Sequence, residues 1–164
     1  MTDDWQDRVD RLWSSFDPDE GQPFVGAMAA LAAERPGDPV ALFELAGAHD
    51  ATNSTTTAID LYREALDTGL PQPLARQAAI QLASSLRISG SPAEAVTLIE
   101  QELADRSDDL DDAARAFLAL ALHDTGRDAD AVALLVETLA AHLTRYRTSL
   151  VGYARELRSR PSGA

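Results

Sequence analysis

The sequence contains no cysteine, which excludes disulfides, thiolate nucleophiles and Cys-ligated metals. Lysine is also missing, and all 14 basic residues are arginine. Aromatic residues make up only 5% of the chain, and β-branched residues are sparse. Ala and Leu dominate the apolar set, and both are strong helix formers, so composition favours helices over strands. Long apolar runs are lacking too: the longest, residues 116–122, is far short of the ~20 residues that span a bilayer. Positive charge is scarce, with 27 Asp and Glu against the 14 arginines and a net charge of -13. Such a surface repels phosphate backbones and anionic membranes, so neither nucleic acid nor a membrane is expected as a partner. Residues 1–10 are acidic and carry no apolar stretch of the secretory kind. Together these absences predict a soluble protein of the reducing cytoplasm.

What is present is a chain of 164 residues, 45% hydrophobic. A chain of that length buries roughly two thirds of its extended surface on folding and needs no metal or disulfide to hold a core. Three segments of it superimpose. The first reads Leu42, Leu45-Ala46, His49, Asn53, Ala58-Ile59, Tyr62; the second Ala79, Leu82-Ala83, Leu86, Gly90, Ala95-Val96, Ile99. The third reads Arg115, Leu118-Ala119, Leu122, Gly126, Ala131-Val132, Leu135, with the same internal spacings. The steps between copies are 37 and 36 residues, the period of a solenoid built from repeated supersecondary units.

Within each copy, apolar residues recur every three or four positions on both sides of Asn53, Gly90 or Gly126, which predicts two antiparallel helices joined by a tight turn. The Asn or Gly sits where a helix ends in a left-handed residue. Ser91 reads as a cap, Pro92 as the first helical residue and Glu94 as the far half of a capping box, with Ser54 as a hydroxyl cap one repeat earlier. Small residues Ala46, Ala83 and Ala119, with Ala58, Ala95 and Ala131, mark the places where paired helices approach closely.

These positions resemble the tetratricopeptide repeat, whose signature runs from a bulky residue through Leu-small, an aromatic and a later Ala with a bulky partner to a closing Pro. The first copy fits best and ends in Pro71; the second and third keep Leu-Ala, Gly and Ala but lack the opening Trp and the closing Pro. The resemblance covers residues 39–142 and implies an all-α, right-handed superhelix of about nine helices. Its units are residues 38–71, 72–107 and 108–142. Residues 1–37 form an N-terminal helix pair with stripes Trp5, Val9, Leu12, Trp13, Phe16 and Phe24, Met28, Leu31. Residues 143–158 form a capping helix, which a solenoid needs to cover its terminal core face. Residues 158–164 read as a frayed tail.

Candidate chemistry is thin. His49, His123 and His142 lie in different helices or turns, and no pair has the i, i+4 spacing of a helical metal site. The acidic run Asp108, Asp109, Asp111, Asp112 lacks the glycine and distal Glu of a calcium loop and reads as carboxylates at a helix N-terminus. No cofactor and no metal is expected. The one basic segment begins at Leu143, with five arginines against one acid, a net of +4.

The resemblance implies a groove lined by the first helix of each unit: Val40, Phe43, Gly47 and Asp50; then Gln77, Ile80, Ser84 and Arg87; then Ala113, Ala116, Leu120 and His123. Only Arg87 suits the family's carboxylate clamp for chaperone C-termini. An apolar groove takes a helix or peptide of a partner, or the chain's own Trp5, Trp13 and Phe16 fill it. The expected function is a non-catalytic protein-interaction module. The rival is an all-α enzyme or small-ligand-binding protein with an acidic, histidine-bearing pocket. A homodimer is expected through the last helix, where Tyr146, Leu150, Tyr153 and Leu157 share a stripe, with residues 1–20, net −5, as the opposite charge.

Overall fold

The computed structural model describes residues 4–159, and every regular element among them is helical. Of the expected tail, Arg158 and Ser159 are not frayed but close the last helix, and residues 160–164 lie outside the described residues. Two compact units divide the chain, Met1–Ser85 and Leu86–Ala164, with the division falling inside one helix.

The first unit holds α1 (Asp4–Ser14), α2 (Gly21–Ala33), α3 (Pro39–Ala51), α4 (Thr55–Asp67) and most of α5 (Leu74–Ile88), with a short 3-10 turn, Pro18–Glu20, between α1 and α2. The N-terminal helix pair forms as its stripes predict. Trp5 and Val9 of α1 and Phe24 and Met28 of α2 are buried with Ala41 and Ala48 of α3. The Trp5 indole N–H donates to the Leu31 carbonyl at 2.8 Å, which satisfies the one polar atom that burying a tryptophan entails. The rings of Phe16 and Trp13 meet Phe24 with centroids 4.6 and 4.9 Å apart.

The second unit holds the end of α5, then α6 (Pro92–Asp105), α7 (Asp111–Asp124), α8 (Asp128–Ala141) and α9 (Arg147–Ser159). Here α6 packs on α7, α7 on α8 and α8 on α9. The alanines selected from the repeat are the contact points: Ala46, Ala58, Ala83, Ala95, Ala119 and Ala131 are all buried.

The turns inside the repeats are built alike. Asn53, Gly90 and Gly126 adopt φ of 61°, 93° and 79°, the left-handed region expected of them. The following N–H then reaches back five residues: Ser54 to His49 at 2.9 Å, Ser91 to Leu86 at 2.8 Å and Arg127 to Leu122 at 2.9 Å. This is the Schellman closure of the first helix. It also overturns two expected caps. Neither Ser54 nor Ser91 makes a side-chain cap hydrogen bond, so the predicted capping box at Ser91 does not form. The closure holds their ψ at 56° and 50°, whereas Asp38, a working cap that accepts from the Val40 N–H at 2.8 Å, has ψ 120°. Pro92 does stand in the first helical turn.

The acidic run behaves as a helix start. Asp108 accepts from the Leu110 N–H at 2.8 Å, and Arg115 pairs with Asp111 and Asp112 at 3.2 and 3.1 Å.

Candidate functional site

In the first unit the groove positions are largely occupied by the chain itself. Phe43 and Ile80 are buried, and Val40, Gln77 and Ser84 are half-buried. Trp13 of α1 lies over Gly47 of α3, and its indole N–H donates to Glu44 at 2.7 Å. Asp50 accepts from the Ser85 hydroxyl at 2.8 Å. Burial pushes the Glu44 carboxyl above its ordinary range, against the opposing effect of the Trp13 hydrogen bond, and does the same to Asp50 against that of Ser85. Tyr62, wholly buried, donates to Gln81 at 2.8 Å, and desolvation raises its phenol, with Asp50 and Glu44 adding to the effect. His49 is half-buried, and burial lowers its imidazole below the usual value.

The second unit differs. Arg87 pairs with Asp124 at 2.8 Å, and Ala113, Ala116 and Leu120 stand exposed on α7. Beside them is a hollow lined by Ala119, Leu120, His123, Asp128, Ala131, Val132 and Leu135. Leu139 continues the same face of α8 one turn on and is also exposed. The only polar groups at this hollow are His123 and Asp128, bonded to each other at 2.6 Å across the α7–α8 turn. That hydrogen bond raises the His123 imidazole above its usual value. A second such pair, His142 with Asp112 at 2.7 Å, ties the end of α8 to the start of α7. Among the described residues no group of three or more His, Asp or Glu could hold a metal ion.

Sequence reasoning named Ala116, Leu120 and His123 but not Val132, Leu135 and Leu139, which complete the face. The signal was available. In α4 the outward positions are Asp60, Arg63, Glu64 and Asp67; in α6 they are Thr97, Glu100, Gln101 and Ala104, and all of these are exposed. The matching positions of α8 are Ala133, Val136, Glu137 and Ala140, so α8 is apolar nearly all round. A helix of that kind is covered on more than one side. Here α9 covers the outward side: Ala133, Ala140 and Ala154 are fully buried, and Arg158 pairs with Glu137 at 2.8 Å.

The expected stripe on α9 is split by this packing. Leu150 and Leu157 are half-buried, while Tyr153 is exposed. Tyr146 precedes the helix at φ 66° and is exposed as well.

These features define a helical-repeat protein of two-helix units closed by Schellman turns, with no helix among the described residues long and apolar enough to cross a membrane. The Tetratrico peptide repeat family model matches residues 39–157, from the start of α3 almost to the end of α9, and the chain belongs to that family. Its repeats mediate protein–protein contacts. No curated protein and no solved structure matches the chain.

Proposed function

We propose that the chain is a non-catalytic interaction module of the cytoplasm that binds another polypeptide, as a helix or an extended segment, on an apolar face of its repeats. One observation carries the reading: Leu120, Val132, Leu135 and Leu139 are large apolar side chains left in water on adjacent helices. Contiguous apolar surface of this sort marks an interaction site on a soluble protein. Ala116 lies on the same helix as Leu120, and the His123–Asp128 pair supplies a polar edge. In the first unit Val40, Gly47, Asp50, Gln77 and Ser84 keep part of their surface accessible, beside the buried Phe43 and Ile80, and serve as a secondary contact. The net charge of -13 supports protein rather than nucleic acid or membrane as the partner.

The test is capture from the native cytosol with the wild-type chain and with a Leu120→Glu, Leu135→Glu variant. Partner proteins retained by the first and lost by the second, at unchanged melting temperature, support the reading. An identical set on both sinks it.

A further inference from the structure

Helix α9 lands on the outward side of α8, held by Ala133, Ala140, Ala154 and the Arg158–Glu137 pair. It leaves the stacking side bare, so that Val132 and Leu135 are exposed where their repeat equivalents Val96 and Ile99 are buried. Packing on α8 uses one side of α9. Another flank belongs to the one basic segment of the chain and is unpartnered. In a chain with 27 acids and 14 arginines, an arginine readily finds a carboxylate, as Arg87 does in Asp124 and Arg115 in Asp111 and Asp112. Arg145, Arg147 and Arg155 find none: they are exposed and have no hydrogen-bond or ion-pair partner among the described residues. Arg147 and Arg155 line a shallow hollow with Thr148, Val151 and Gly152. Gly152 gives the hollow its depth, since a Cβ there would meet nothing within 4 Å. Eight residues of helix set the two arginines about 12 Å apart along the axis. Between Arg145 and Arg147, Tyr146 is 77% exposed at φ 66°, a backbone uncommon for a residue other than glycine.

We infer that this flank of α9 is a second docking surface, which takes an acidic segment of another protein. Carboxylates of the segment meet Arg147 and Arg155, and an apolar side chain between them enters the hollow over Val151 and Gly152. Charge complementarity selects this occupant. A guanidinium is a planar fork that matches a carboxylate with two parallel hydrogen bonds, and clustered arginines recognise acidic motifs in this way. The half-buried Val151 and the exposed Tyr146 and Tyr153 add the apolar and aromatic surface that protein contacts favour. A nucleic acid or a bilayer fits less well. Either extends beyond three arginines and brings its phosphates within the ~8–10 Å screening length of the acids that give the chain a net charge of -13, Glu137 and Glu156 among the nearest in sequence. The acidic start of a second copy is the poorer fit as well, because acids of α1 are engaged within the chain, Asp4 with Arg8 and Asp10 with Gln6.

Fluorescence anisotropy tests this with the full-length chain and a labelled synthetic peptide in which two Glu flank a central Leu, against the same peptide with Gln for Glu. The Glu peptide is expected to bind and the Gln peptide to fail, and binding of the first should weaken as salt rises. Arg147→Gln with Arg155→Gln should weaken it roughly tenfold, the scale of two exposed ion pairs. Gly152→Leu should weaken it too, by filling the hollow at unchanged charge. Two controls should bind as the wild type does. Arg11→Gln removes an exposed and likewise unpaired arginine from α1. Leu120→Gln with Leu135→Gln alters the bare face of α7 and α8, so that loss of the interaction-module site and loss of this one are told apart.

A Glu peptide that does not bind at millimolar concentration overturns the inference, and so does equal binding of the Gln peptide. Equal losses in Arg11→Gln and in the α9 variants reduce the effect to net charge and overturn it as well. Phosphatidylserine vesicles or an oligothymidylate that bind α9 more tightly than the peptide make the partner a membrane or a nucleic acid instead. Sedimentation equilibrium covers the remaining occupant: a wild-type dimer that dissociates in Arg147→Gln, Arg155→Gln assigns the flank to a second copy and overturns the inference.

Discussion

The indole of Trp13 lies over Gly47 so closely that a methyl group at position 47 would stand 3.2 Å from its Cζ2. Glycine inside a helix costs about 0.5–1 kcal/mol relative to alanine, so its presence in α3 has a packing reason. Gly47→Leu is expected to destabilise the protein by about 1–3 kcal/mol through overpacking. Gly26 in α2, where a Cβ would meet nothing within 4 Å, is the control. Gly26→Ala should raise stability by roughly 0.5–1 kcal/mol. Urea unfolding of the two variants checks both signs.

Ala58, Ala95 and Ala131 occupy one position in the three repeats, but their surroundings differ. The first two are wholly buried between covered helices, while Ala131 borders the open hollow of the second unit. Replacement of Ala58 or Ala95 by Leu should cost about 1–3 kcal/mol. Ala131→Leu should cost less, and Asp60→Leu on the outward face of α4 should change stability by no more than about 0.5 kcal/mol. Thermal melts of the four variants give the ranking, and equal losses throughout would mean that the repeat register is wrong.

Glu44 links stability to pH in the direction opposite to a salt-bridged carboxylate. Burial raises its native value above that of the unfolded chain, so in the interval between the two the native state holds the extra proton. Stability therefore falls as pH rises from about 4.3, the ordinary glutamate value, through the raised native value. Glu44→Gln removes this loss while its amide oxygen still accepts from the Trp13 N–H. The variant should melt higher than the wild type at neutral pH, and the difference should vanish in acid. Asp50, raised for the same reason, gives a residual slope that Asp50→Asn should flatten further.

His123 and His49 should titrate on opposite sides of the usual imidazole value of about 6.5. His123, bonded to Asp128, is raised, and His49, desolvated, is lowered. Proton NMR of the imidazole resonances will resolve the order. In Asp128→Asn the His123 curve should move down while that of His49 stays in place.

How far the sequence predicts this molecule depends on which interactions decide each feature. The left-handed residues Asn53, Gly90 and Gly126 were legible because only a few residue types tolerate that backbone, and the alanines at 58, 95 and 131 because close helix approach admits little else. The hydroxyl caps at Ser54 and Ser91 were misread. The same two residues suit a cap by type, but their backbone is already committed to closing the preceding helix. The bare face of α8 was missed for a different reason. Val132 and Leu135 read like their buried counterparts Val96 and Ile99, and what separates them is where α9 lands. That choice is written at steps of three and four in Ala133, Val136 and Ala140, and becomes legible only once the repeat register has told outward positions from stacking ones.

Each unit is assembled almost entirely from helices adjacent in the chain: α1 with α2, α2 with α3, α3 with α4, and later α6 with α7, α7 with α8 and α8 with α9. Loop closure is therefore cheap at most steps, since contacts that skip a helix, such as Trp13 with Glu44 or Arg87 with Asp124, are few. Folding of such a chain is expected to be fast, in the microsecond-to-millisecond range typical of low contact order. It can also begin at any well-formed helix pair and spread to its neighbours, as in other repeat arrays. The Schellman turns at Asn53, Gly90 and Gly126 suit that role, because each closes its hydrogen bonds within six residues and sets the reversal before any long-range packing exists.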